Sequence, residues 1–190
     1  DYAGSASPKV IQALEQEIDV ALKGETPSIP LAQAREQGLL TDIDPDSPYM
    51  DRLGQLVDLA AIRGSGLRVA VDAMYGAGAG YLPALLEGGT VRTTELHGER
   101  NPAFPGMAQP EPVAHNLTAL SEHIVSQGAD VGIALDGDAD RLGVIDEKGR
   151  FISTLQAFAL LALYFLEVRG QRGPLVKSVT MTGMIYRLGE

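Results

Sequence analysis

An α/β fold is what this sequence predicts: a three-layer α/β/α sandwich whose sheet is mostly parallel, with one antiparallel strand after an aspartate loop. Three observations carry that expectation. Apolar runs short enough for buried strands, at 67–73, 91–96 and 131–135, alternate with segments of helical periodicity, the order that builds a parallel sheet with helices on both faces. The first run empties into Gly76-Ala77-Gly78-Ala79-Gly80, small residues that let a strand turn closely into a helix. The third, Val131-Gly132-Ile133-Ala134-Leu135, empties into Asp136-Gly137-Asp138-Ala139-Asp140-Arg141, and Leu142 to Asp146 reads as a strand returning beside it.

The remaining elements follow in chain order. Ser7-Pro8 is an N-cap with proline at the first helical position, and Val10, Ile11, Leu14, Ile18 and Leu22 recur at helical spacing until Gly24, which predicts one buried face. From Thr26 to Pro48, prolines among polar residues predict an irregular connection with at most a short strand or turn. Ser47-Pro48 repeats the cap signal for a second amphipathic helix, ending at Gly64. Four prolines between His97 and Pro112 exclude regular structure there. Asn116 is expected to cap a helix that buries Leu117, Leu120, Ile124 and Val125 and closes at Gly128. Glu147-Lys148-Gly149 turns the returning strand toward Phe151-Ile152, and Ser153 with Gln156 forms a capping box for an apolar core helix ending near Val168. Gly170 to Pro174 is a linker, and Leu175 to Met181 reads as the start of another strand. There is no internal repeat.

Composition sets limits on function. The 190 residues are 45% hydrophobic and 21% charged, enough for a sizeable core. A net charge of −10 argues against a nucleic-acid or anionic-membrane surface, although a local basic group would still serve a small phosphorylated substrate. No cysteine is present, which removes disulfides and thiol catalysis and fits a cytoplasmic location. Leu155 to Leu166 is too short and too interrupted to span a bilayer. A chain that begins with Asp1 and shows no signal peptide is expected to be a fragment. Association with a second copy stays open.

The chemistry centres on the aspartates. Three carboxylates at alternate positions repel one another, so keeping all of them ionised calls for a compensating positive charge. All-oxygen ligands point to a hard divalent ion, Mg²⁺ first. A solvated Asp-rich turn accounts for the composition equally well; the position directly beyond a strand's carboxyl end favours a site. An EF-hand would place ligands at Asp136, Asp138, Asp140 and Glu147, but its sixth position calls for glycine and holds Arg141. A phosphotransferase of the haloacid dehalogenase type, with Asp136 as nucleophile, stays open, although Asp140 stands where that pattern has threonine. The glycine-rich turn with Glu95 near the end of the next strand invites a dinucleotide reading, yet Tyr81 stands where the last glycine belongs. His97 and His115 have no partner at metal-ligand spacing.

Asp-Gly-Asp-Ala-Asp-Arg after a buried strand, followed by a hairpin strand ending Asp146-Glu147-Lys148-Gly149, resembles the metal-binding loop of the α-D-phosphohexomutases, the phosphoglucomutase/phosphomannomutase family. Gly4-Ser5-Ala6-Ser7-Pro8 resembles the end of that family's first domain, Val69-Ala70-Val71-Asp72 to Gly80 the opening of its second, and Lys177 to Glu190 the start of its third. The resemblance divides the chain into 1–46, the tail of the first domain with its connection; 47–170, the second α/β/α domain; and 171–190, the start of the third. It implies an enzyme that interconverts hexose 1-phosphate and hexose 6-phosphate through a bisphosphorylated sugar, with a phosphoserine as donor. Asp136, Asp138 and Asp140 would then hold Mg²⁺, and Arg141 and Lys177 would face substrate phosphate. For Arg141 a salt bridge to a loop carboxylate serves equally well, and Lys177 also reads as a solvated lysine at a strand edge. The family's Thr-Ala-Ser-His-Asn-Pro donor loop and its sugar- and phosphate-reading loops do not occur in these residues, so no catalytic nucleophile is assigned and the missing domains become required partners.

Overall fold

The structure, a computed structural model, describes residues 4–24 and 28–189. The chain forms two units, Asp1–Pro48 and Tyr49–Glu190. Thr26 and Pro27 of the expected connection, and Glu190, lie outside the described residues.

In the first unit, helix α1 (Pro8–Lys23) begins and ends where the proline and glycine signals put it. Its apolar stripe is not buried: Val10, Ile11, Leu14, Ile18 and Leu22 are all exposed. Among the described residues this unit holds only helices, so the stripe has no sheet to pack on. Ser7 caps through its backbone carbonyl alone and makes no side-chain cap bond. Part of the expected irregular stretch is a short helix, α2 (Leu31–Glu36), and the Arg35–Asp42 ion pair ties the segment after it back to this helix.

Helix α3 (Asp46–Leu56) starts two residues earlier than a Ser47 cap with Pro48 as first helical residue suggests, because Asp44 accepts the backbone N–H groups of Asp46 and Ser47 and the Ser47 hydroxyl. The helix expected to reach Gly64 is broken. Asp58 accepts the Ala61 N–H and so caps a separate helix, α4 (Leu59–Arg63).

The second unit is built on a five-stranded mixed sheet in the order β2-β1-β3-β4-β5. Strands β1 (Arg68–Asp72), β2 (Arg92–Leu96) and β3 (Val131–Leu135) are parallel, with Val69 in register between Thr93 and Val131. Strand β4 (Leu142–Asp146) runs antiparallel to β3, and β5 (Phe151–Ile152) antiparallel to β4. Period-two alternation sorts β1 between two cores. Val69 and Val71 pack with Leu86 and Val91, against Leu82 of α5 (Tyr81–Leu86) and Ile62 of α4. Ala70 packs with Met74, Leu117, Leu120, Ile124, Ala134 and Ile145, the face covered by α6 (Thr118–Gln127). The β1-to-β2 crossover through α5 and the β2-to-β3 crossover through α6 therefore lie on opposite faces. The chain's winding reverses between β1 and β3, and in such sheets the crevice beyond the carboxyl ends at that reversal is where ligands bind.

Several local expectations are corrected by tertiary contacts. Asn116 does not cap α6: it lies in a 3₁₀ turn (Ala114–Asn116), and its amide donates to the Gln109 and Glu111 carbonyls, securing the proline-rich loop. Val125 is exposed, leaving Leu117, Leu120 and Ile124 as the buried face. The capping box at Ser153 and Gln156 forms as expected. The helix it starts, α7 (Thr154–Leu163) with a π turn over Tyr164–Val168, buries only Ala159 and Ala162 and leaves Leu160, Leu161 and Phe165 exposed. Leu175 to Met181 is not a strand and pairs with none of the five strands. Helix α8 (Met184–Leu188) follows. No helix among the described residues is long and apolar enough to cross a membrane.

Candidate metal centre

The loop leaving β3 is shaped by its own side chains. Asp136 is 1% exposed; one carboxylate oxygen accepts the Arg141 backbone N–H at 2.9 Å and the other accepts Arg141 Nε at 2.9 Å. The turn between them requires Ala139 at φ 62°, and the Ala139 N–H donates to the Asp136 carbonyl. Two close approaches seat the loop. A Cβ on Gly137 would lie 2.9 Å from Pro110 Cγ and 3.3 Å from the Phe104 ring, and one on Gly76 would lie 2.7 Å from the Gly137 carbonyl oxygen. Glycine at both positions lets Gly137 donate to the Pro110 carbonyl and accept from the Ala77 N–H.

One carboxylate oxygen each from Asp136, Asp138 and Asp140 lies within 4.8 Å of the others. Around an octahedral Mg²⁺ with bonds near 2.1 Å, neighbouring oxygens stand about 3.0 Å apart and opposite ones about 4.2 Å. Small side-chain rotations of the exposed Asp138 and Asp140 would close the gap. Burial raises the Asp136 pKa, but the hydrogen bonds from the Arg141 backbone and side chain and from Asp140 outweigh it and hold the group below the usual carboxylate range. Asp140 is pushed up, chiefly by the charge of Asp138 and then of Asp136. Arg141 is the cation ion-paired with this group, and it also bonds Glu111 at 2.8 Å and approaches Asp140 at 3.5 Å. Arg141 pairs with three carboxylates, and Asp138 stands beside two of them, so this all-oxygen, electron-rich set fits a hard divalent cation.

The sequence-derived residues separate here. Asp136, Asp138, Asp140 and Arg141 come together, with the salt bridge to Asp136 formed. Lys177 instead donates to the Ser178 and Met181 carbonyls and lies over the Tyr186 ring. Glu147 stays outside the carboxylate group, and Asp146 is occupied by the backbone of Lys148 and Arg150 and the Arg150 side chain, which removes the EF-hand arrangement. Glu95 accepts the Gly80 N–H and so secures the glycine-rich turn. Two residues went unrecognised as a pair: fully buried Asp72 accepts from Met74 N–H and meets His97 Nδ1 at 2.9 Å. The available signal was that both stand at the carboxyl ends of adjacent parallel strands.

Comparison with known proteins agrees with this architecture. The family profile described as "Phosphoglucomutase/phosphomannomutase, alpha/beta/alpha domain II" matches residues 47–149, more than half of the chain. A "Probable phosphoglucosamine mutase" of Methanosarcina barkeri is 40% identical over 121 residues, covering 64% of this chain and 27% of that protein. A "Phosphoglucomutase/phosphomannomutase" of Thermococcus kodakarensis is 36% identical over 154 residues, covering 81% and 33%. The solved structure of a phosphoglucomutase/phosphomannomutase family protein from Burkholderia thailandensis superposes with a TM-score of 0.70 at 25% identity, covering 97% of this chain and 37% of that one. The chain thus spans between about a quarter and two fifths of the length of these relatives.

Proposed function

Because this chain belongs to the phosphoglucomutase/phosphomannomutase family of α-D-phosphohexomutases, we propose that it supplies the cation-holding part of an enzyme that interconverts hexose 1-phosphate and hexose 6-phosphate. In that reading residues 1–46 are the tail of the first domain, 47–170 the second and 171–190 the start of the third. The phosphoserine donor and the sugar-reading loops belong to parts of the family's architecture that these residues do not include.

The observation that carries the reading is the convergence of Asp136, Asp138 and Asp140 at the carboxyl end of β3, beside the reversal of the sheet. Asp136 is the anchored member. Its hydrogen bonds from Arg141 keep it ionised and fix its direction, while the exposed Asp138 and Asp140 supply the adjustable oxygens. Bound there, Mg²⁺ supplies neutralisation of negative charge on a transferring phosphoryl group. Arg141 orients the loop by bridging Asp136 and Glu111, and its partly exposed guanidinium offers its remaining N–H groups to a substrate phosphate. Lys177 is the second basic group proposed for that substrate.

Calorimetry with Mg²⁺ or Mn²⁺ tests the assignment: the 190-residue chain binds one ion and Asp138→Ala does not. Equal binding by both would remove it. In the longer protein that carries this chain, a coupled assay with glucose 1-phosphate or mannose 1-phosphate, primed with the matching bisphosphate, is expected to show turnover that falls by orders of magnitude in Asp136→Ala.

A further inference from the structure

Beneath the aspartate loop lies a cluster that the metal reading does not use. Asp72 ends β1 with its side chain fully buried; Oδ1 takes the Met74 N–H and His97 Nδ1, both at 2.9 Å, and Oδ2 is buried without a partner. A buried carboxylate with one oxygen unsatisfied is costly to maintain. Around it the backbone is forced into the left-handed region at three side-chain-bearing residues, Met74 (φ 47°), Tyr75 (φ 59°) and His97 (φ 47°). Strain of this kind persists where the surroundings over-determine it, and it gathers at functional sites.

The bonds that hold this cluster lead to the aspartate loop. Tyr75 N–H donates to the His97 carbonyl, Asn101 N–H donates to the Tyr75 carbonyl, and the Tyr75 and His97 rings meet with centroids 4.6 Å apart and planes tilted by 42°. The next two residues meet the loop directly. Gly76 lies against the Asp136 and Gly137 carbonyl oxygens, and Ala77 N–H donates to the Gly137 carbonyl. From the other side the segment after His97 reaches the same residue, where Phe104 and Pro110 pack on Gly137. Two arms therefore leave the Asp72–His97 contact and close on Gly137, between the first two of the three aspartates.

We propose that Asp72 and His97 are a positioning pair that holds residues 74–77 and 97–110 in the strained form on which the Asp136-Asp138-Asp140 loop is seated. The pair touches no substrate; it acts through Gly76, Ala77 and Gly137 on the direction of Asp136. The proposal rests on the metal reading for its consequence and on the bonds above for its geometry, and the two are tested apart.

Four variants of the chain serve: His97→Ala; His97→Asn, which restores a donor and tolerates positive φ; His97→Phe, which keeps a ring against Tyr75 without the donor; and Leu86→Ala, a core deletion on the opposite face of the sheet. In metal-free protein, the amide resonances of Ala77, Gly137 and Ala139 shift in His97→Ala and His97→Phe, stay near wild type in His97→Asn, and do not move in Leu86→Ala although it melts lower. With Mn²⁺ as the probe, His97→Ala and His97→Phe bind at least about fivefold more weakly, and His97→Asn returns to within about twofold. Should His97→Ala fail to fold, His97→Phe answers the same question. Unmoved Gly137 and Ala139 resonances in the donor-less variants, or equal movement in Leu86→Ala, would overturn the positioning role. Moved resonances with Mn²⁺ binding that is indifferent to Asp138→Ala would uphold the pair's hold on the loop and overturn the metal reading instead.

Discussion

Gly76→Ala places one methyl group where the seating of the aspartate loop has no room for it. The added Cβ would stand 2.7 Å from the Gly137 carbonyl oxygen, 2.8 Å from that of Asp136 and 2.9 Å from Gly137 Cα. All three neighbours are backbone, so no rotamer change relieves the contact, and either the 74–77 segment or the loop must move. Overpacking of this kind costs about 1–3 kcal/mol, and separation of the segments also breaks the Ala77-to-Gly137 hydrogen bond, worth roughly 0.5–1.5 kcal/mol. The sum, about 1.5–4.5 kcal/mol, corresponds to a fall in Tm of roughly 3–18 °C for a chain of this size. Gly78→Ala is the internal comparison: its Cβ meets first the Leu135 Cδ1 atom, the far end of a side chain that can turn away. Thermal unfolding followed by circular dichroism should rank wild type above Gly78→Ala and Gly78→Ala well above Gly76→Ala, and Mn²⁺ affinity should fall most in Gly76→Ala. A Gly76→Ala protein that melts within a degree of wild type and binds Mn²⁺ equally would refute this account of how the loop is held.

Ile124→Ala should lose about 2–5 kcal/mol in urea unfolding, because Ile124 is fully buried between α6 and the sheet and Gly132 leaves no side chain to fill the void; a loss under 1 kcal/mol would contradict that packing. Asp130, whose carboxylate accepts from the Arg68 side chain and backbone, has its pKa held below the usual range by those bonds. Its contribution is therefore present above the ordinary carboxylate value of about 3.9 and lost as pH falls through the lower folded-state value. Asp130→Asn should accordingly show a smaller drop in urea midpoint between neutral and acid pH than wild type, and an unchanged drop would count against the pair. Amide exchange should be fast across 175–183, where the bonds to backbone acceptors are few and local, and slow in β1 and β3. Comparable protection in both regions would mean that 175–183 is held by contacts other than those described.

What was legible in the sequence is what local chemistry fixes. The run from Val131 to Leu135 is short enough for one strand, the Asp-Gly-Asp turn and the run to Asp146 made a hairpin, and Ser153 with Gln156 closed its own capping box, since each depends on residues a few positions apart. The alternation of strand and helix then fixed the parallel sheet through the handedness of crossovers. The three aspartates were legible as one site because a single loop carries them.

Tertiary structure decided everything that needs a distant partner. Arg141 is shared with Glu111, 30 residues away, and Asp72 meets His97 across 25 residues because β1 and β2 end side by side. Asn116 gave up its capping role to hold the loop at Gln109 and Glu111. The stripes on α1 and α7 have the periodicity of buried faces, yet burial depends on a surface to pack against, and periodicity states only that a face is apolar. The same limit explains Leu175 to Met181, whose strand-like composition produces no strand without a neighbouring edge to complete its hydrogen bonds.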